Sequence, residues 1–195
     1  MSLWDLQARV YVYRSKLFPF NTILRKESAN ISALLAGLQL DGLRILDVGT
    51  GTGESLDLLP KQAVVFAVDL SREMVKRARA GRRARFLVAH ALSLPFRHGA
   101  FDLVTAIGLL EYIGDQAAFL RELSRVTASP GTILLTCAPR TLLNLLRFGL
   151  GHRLYLLSDA ALRGLLREVG LQMTAFKKSP LQRQLLIQNR EANLS

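Results

Sequence analysis

Three glycines spaced by two, Gly49, Gly51 and Gly53, follow an apolar run in the segment "RILDVGTGTGES". Glycine tolerates positive φ and leaves room for a ligand to reach the backbone closely. A strand that runs into such a loop and then a helix suits a nucleotide, and the spacing says which kind. A dinucleotide fingerprint reads G-x-G-x-x-G, but here the third glycine comes one residue early and Glu54 stands in the last glycine's place. A carboxylate there also repels a pyrophosphate. No Gly-Lys-Ser/Thr follows, so a P-loop is excluded. The ligand expected is nucleoside-like, with no phosphate against the loop. Asp69 ends the next apolar run, "VVFAVD", 20 residues after Gly49. A carboxylate there can accept hydrogen bonds from both hydroxyls of a ribose. Alone, an Asp at a strand end is often a helix cap; with the glycines at this spacing it points to a nucleoside.

The elements that would hold these residues read as an alternation. Apolar runs occur at 44–49, 64–69, 84–89, 101–107 and 131–139. Unbroken apolar runs suggest parallel strands buried on both faces. Between them, 53–59, 71–80 (capped by Ser71) and 115–127 (capped by Asp115) read as crossover helices. Two helical patterns come first, Trp4 to Phe18, stopped by Pro19, and Thr22 to Leu38. Another helix is expected over Ser158 to Val169, closed by Gly170. The segments "LQMTAF" and "QRQLLIQ" read as terminal strands, the last antiparallel. The fold class expected is α/β: a doubly wound, Rossmann-like, mostly parallel seven-stranded sheet with helices on both faces.

The chain has 195 residues, half of them apolar, which suits a globular core. No window holds 18 uninterrupted apolar residues, and the N-terminal stretch has Asp and Arg where a signal peptide needs an apolar run. One cysteine, Cys137, permits no internal disulfide. A cytoplasmic location is expected, with or without peripheral membrane contact. The net charge of +11 favours an anionic partner, and the densest basic run is "KRARAGRRAR", Lys76 to Arg85. A solvated helix end and turn explains that run as readily as RNA or anionic lipid does.

Five motifs in order resemble those of the class I S-adenosylmethionine-dependent methyltransferases, in particular the type 11 group of small-molecule enzymes. They are "ILDVGTGTG", "VFAVDLSREMVKRAR", "AHALSLPF", "FDLVTAIGLLEYIGD" and "FLRELSRVTASPGTILLT". The likeness is firm over about 43–140. It implies S-adenosylmethionine as cofactor, with the first motif against its methionine part, Asp69 on the ribose and Met74 near the adenine. The site residues implied are Asp47, Gly49, Thr50, Gly51, Gly53, Asp69, Leu70, Met74, His90, Ala91, Leu92 and Ile107. Two departures stand out. His90 replaces an Asp that accepts a bond from the adenine amino group, and Tyr112 stands where relatives often have His. A neutral imidazole can accept one bond through its unprotonated nitrogen.

Methyl transfer from a sulfonium releases a neutral thioether, so the enzyme mainly positions the acceptor. A base is needed only for an acceptor that must lose a proton early. The candidates are Tyr11, Tyr13, Tyr112, His90, His98 and His152; Tyr112, after the fourth strand, is the best placed. No spacing suggests a metal site. Cys137 lies where RNA 5-methylcytosine enzymes carry a nucleophile, but the partner Pro-Cys is missing, and a buried strand cysteine is the simpler reading. Arg140, Asn144, Arg147 and Gly151 form a narrow polar stripe on an otherwise leucine-rich stretch. It reads as a lid over the substrate pocket or as a basic helix touching anionic lipid. The expectation is one methyltransferase domain over 1–195: an N-terminal helical lid (1–40), a cofactor-binding core (41–139), and a substrate-side helix with terminal strands (140–195). Its acceptor is a small, lipophilic molecule. An RNA methyltransferase and a non-catalytic cofactor-binding protein are the alternatives.

Overall fold

The computed structural model describes residues 20–40, 42–141, 144 and 154–189. The expected helix Trp4 to Phe18, the candidates Tyr11, Tyr13 and His152, and most of the leucine-rich stretch, with Arg147 and Gly151, lie outside the described residues.

Helix α1 (Phe20–Leu35) leads into β1 (Arg44–Val48). Then come β2 (Val64–Asp69), α2 (Arg72–Ala78), β3 (Arg85–Val88) and β4 (Phe101–Ala106). Helix α3 (Gln116–Val126), β5 (Thr127–Cys137), α4 (Asp159–Glu168), β6 (Gln172–Lys178) and β7 (Arg183–Asn189) complete the order. The seven strands lie in the order β3-β2-β1-β4-β5-β7-β6. The first five run parallel, and β7 inserts antiparallel between β5 and β6. The expected doubly wound sheet is what the chain forms. Its order reverses between β1 and β4, and the crevice at that switch point faces the carboxyl ends of the strands, where such sheets take ligands.

The burial follows the strand pattern. Ile45, Leu46, Leu103, Val104, Ile133 and Leu134 are wholly buried, as central strands covered on both faces require. On α3, Phe119, Leu120, Leu123 and Val126 share one face and press it onto the sheet without exposure. Phe66, Phe96 and Phe101 meet edge to face at 4.8–5.7 Å between centroids. The caps read from sequence are made: Ser71 Oγ accepts from the Met74 amide and Asp115 from Ala118; Ser158 Oγ caps α4 in the same way, accepting from Ala161.

Three boundaries differ from the expectation. The crossover at 53–59 is one 3-10 turn, Glu54–Leu58, because Pro60 cannot continue a helix. Helix α1 ends at Leu35, before Gly37. Strand β5 begins at Thr127, where Thr127 pairs with Phe101, rather than after the proline-glycine turn.

Candidate functional site

A cavity of about 430 Å³ opens at the carboxyl ends of β1, β2 and β4, within the size range of small-molecule sites. The glycine loop forms its floor. The Gly49 and Thr50 amides both donate to the Val68 carbonyl, at 2.8 and 3.0 Å, which bends the chain sharply off β1. The three glycines have three different neighbours. A Cβ on Gly49 (φ +73°) would lie 2.8 Å from a methyl of Leu109. On Gly51 (φ +54°) it would meet no protein atom within 4 Å, which leaves that backbone open to a ligand. On Gly53 (φ +89°) it would lie 2.8 Å from a guanidinium nitrogen of Arg82.

Asp69 lines the cavity. One carboxylate oxygen accepts from the Gly51 amide at 2.9 Å and the other from the Ser71 amide at 2.9 Å. Burial pushes this carboxyl above its ordinary value, and the two backbone bonds offset part of that. Each oxygen keeps a second acceptor direction. Asp69 is thus both the staple of the loop and an acceptor facing the cavity.

Asp47 lies behind the wall, 1% exposed, and does not line the cavity. It accepts from Ser55 Oγ at 2.7 Å and from Thr105 Oγ1 at 2.5 Å. Burial raises its pKa above the ordinary 3.8, and the two hydroxyls oppose that rise. A carboxyl raised by folding contributes stability below its unfolded value and loses it as pH rises through the folded value. At neutral pH its charge is therefore a cost. Asp47→Asn should raise the melting temperature at pH 7, and the gain should vanish in acid below 3.8, where the wild-type group is also neutral. Melts at both pH values test this; a lower Tm at pH 7 would count against it.

Of the other expected residues, Thr50, Leu70, Met74, His90, Ala91 and Ile107 line the cavity. Gly53 and Leu92 do not. Leu92 donates its amide to Nδ1 of His90 at 3.1 Å. That nitrogen is therefore occupied, and a neutral ring then carries its proton on Nε2. In this structure the acceptor nitrogen of His90 is thus taken by the Leu92 amide. Tyr112 is half-buried in a 3-10 turn, Leu110–Tyr112, and lines the wall with Glu111 and Ile113. The turn is pinned: Gln116 Nε2 donates to the carbonyls of Leu110 and Tyr155, and the Tyr155 amide donates to Glu111. His98 is exposed and away from the cavity. No group of three metal-ligating side chains occurs among the described residues.

Cys137 closes β5 at 4% exposure and does not line the cavity. Burial, then the nearby Glu111 charge, push its thiol up to about 12, which leaves almost no thiolate at neutral pH. Asn144 corrects the expected polar stripe: it is fully buried, and its amide donates to the carbonyls of Pro139 and Leu181. It joins the end of β5 to the β6–β7 turn instead of facing solvent. The basic run is largely absorbed within the fold. Arg77 pairs with Glu73 at 3.0 Å, Arg82 with Asp57 at 2.7 Å, and Arg79 and Arg85 lie over Phe86 and Phe66.

The far wall is Glu27, Ser28 and Ile31 of α1, within the 1–40 segment expected as a lid but not singled out from sequence, with Leu181 and Gln182 of the β6–β7 turn. Glu27 carried a signal: it shares a helical stripe with Ile31, Leu34 and Leu35, and an acid on an apolar stripe is out of place. It is 5% exposed and accepts from Ser179 Oγ at 2.7 Å. The turn carried none, since only the folded sheet brings it over the crevice.

Known proteins match this arrangement. Residues 46–135 match the family described as Methyltransferase domain. Among curated relatives, a demethylmenaquinone methyltransferase of Roseiflexus castenholzii is 38% identical over 54% of this chain and 47% of its own length. A ubiquinone biosynthesis O-methyltransferase of Xanthomonas euvesicatoria is 32% identical over 70% of this chain and 65% of its own. The chain spans about half the length of the first curated relatives it matches. In fold it is similar to magnesium protoporphyrin IX methyltransferase of Synechocystis, solved with SAH (TM-score 0.74, 23% identity, 95% of this chain and 94% of that one). It is also similar to a Haloferax volcanii structure of the Trm112 methyltransferase activator with a methyltransferase (TM-score 0.80, 21% identity, 98% and 99%).

Proposed function

We propose that the chain, whose residues 46–135 match the Methyltransferase domain family, is a class I S-adenosylmethionine-dependent methyltransferase of the type 11 group that transfers a methyl group to a small, lipophilic acceptor. The observation that carries the reading is Asp69. Its carboxylate is stapled to the Gly51 amide and still faces the cavity, beside a glycine whose missing Cβ leaves open space. In this reading Asp69 would hold the ribose, the backbone of Gly49–Gly51 the methionine end, and Leu70, Met74 and Ala91 the adenine. The bound cofactor would supply an activated methyl on a sulfonium. The chain's part is to bind and orient the two reactants, the entropic share of the barrier.

Apolar side chains of Ile31, Leu109, Ile113 and Leu181 line the wall beyond Asp69, with Tyr112 among them. The described lining includes no lysine or arginine, although the chain's net charge is +11. Those apolar side chains, with the carboxylates of Glu27 and Glu111 on the same wall and no cation among the described lining, favour a largely apolar acceptor without a phosphate or carboxylate of its own. Relatives that act, by their names, on quinone precursors support the same class. Incubating the chain with methyl-labelled S-adenosylmethionine and fractionated cell extract tests this. Label in the organic-soluble small molecules is expected; label confined to RNA would overturn it.

The RNA reading rests on the charge and on Cys137. A thiol pushed up to about 12 is a poor nucleophile. Cys137→Ser should keep transfer within about twofold, whereas loss of a covalent nucleophile lowers turnover by orders of magnitude. A collapse of transfer in that variant would favour RNA.

A further inference from the structure

Arg82 lies in the turn between α2 and β3 and does not line the cavity, yet its guanidinium reaches the glycine loop. Nη1 donates to the Thr52 carbonyl at 3.0 Å and to the Ala78 carbonyl at 3.3 Å. Nε and Nη2 form a fork on the Asp57 carboxylate at 2.8 and 2.7 Å. Thr52 is in the loop and lines the cavity, and Asp57 is on the 3-10 turn that follows. One planar cation thus ties the loop, the turn after it and the end of α2 together, in a way a lysine's single ammonium cannot. A Cβ on Gly53 would stand 2.8 Å from Nη1 and 3.1 Å from Cα of Ala78.

We infer that Arg82 is a positioning residue that fixes the glycine loop in its ligand-receiving shape, and that Gly53, whose φ of +89° already calls for glycine, leaves the space its guanidinium occupies. The inference rests on the proposed function, because the loop's shape matters only if a cofactor lies on it. It also assigns Arg82 of the basic run a task inside the protein. The Asp57 side chain is 59% exposed, so the ion pair adds little to stability. The effect belongs in ligand affinity.

Calorimetry with S-adenosylhomocysteine and with adenosine separates the cases, since only the former has an amino-acid end to lay on the loop. Arg82→Ala should weaken S-adenosylhomocysteine about tenfold, the size of one hydrogen bond to a charged group, and leave adenosine nearly unchanged. Arg82→Lys should recover part of the loss. Asp57→Asn, which breaks the fork with Arg82 in place, should shift affinity the same way and covers the case in which Arg82→Ala does not fold. Unchanged S-adenosylhomocysteine affinity, or an equal loss for both ligands, overturns the inference. A wild type that binds neither ligand overturns the cofactor reading beneath it.

Discussion

Asp69→Ala should lower the affinity for S-adenosylhomocysteine about 100-fold, the sum of two charge-assisted hydrogen bonds of about 1.5 kcal/mol or more each. The two ribose hydroxyls are the expected donors. The variant also frees the Gly51 and Ser71 amides that the carboxylate holds at 2.9 Å, so the loop loses its staple as well as the ligand its acceptor. Asp69→Asn keeps one carbonyl oxygen and should fall between. Ligand affinity should also weaken in acid earlier than an ordinary carboxylate would allow, because burial raises the pKa of Asp69 above 3.8 and the protonated group accepts less well. Calorimetry at pH 7 and in mild acid reads both effects; an unchanged affinity in Asp69→Ala removes the residue from the site.

Gly51→Leu should abolish measurable binding while the fold survives. The positive φ of +54° costs a non-glycine residue about 1–2 kcal/mol, a tolerable loss for a domain of this size. No protein atom lies within 4 Å of a Cβ at this position, so the new side chain clashes with nothing in the protein. It would stand instead in the space the ligand needs. Circular dichroism should show a folded protein, and titration should show no saturable heat. Retained affinity would mean that the ligand does not approach this backbone.

The fold was legible because its signals are local. Five unbroken apolar runs with capped helices between them allow few topologies other than a doubly wound sheet, and Ser71, Asp115 and Ser158 cap as their residue types suggest. The crossover after β1 was misread because Glu54 to Leu59 has helical composition, and the stop at Pro60 leaves room for only one turn. Within the site, the meeting of Gly49, Gly51 and Asp69 at one cavity was legible because it depends on spacing along one strand–turn–helix unit. The far wall was not, because Glu27 and Leu181 are 154 residues apart and meet only through the antiparallel insertion of β7. His90 shows a subtler limit. Its type was read correctly as a potential acceptor, but the amide two residues on takes that capacity locally. Gly53 looked like a third cradle glycine, and its neighbour is Arg82, which nothing in the local pattern announces.

The most direct test of the central claim is a structure of the chain crystallised with S-adenosylhomocysteine. The account predicts the ligand in the cavity at the ends of β1, β2 and β4, with both ribose hydroxyls on the Asp69 carboxylate and its amino-acid end on the backbone of Gly49–Gly51. A ligand bound elsewhere, or an Asp69 that still bonds only the Gly51 and Ser71 amides, would contradict it.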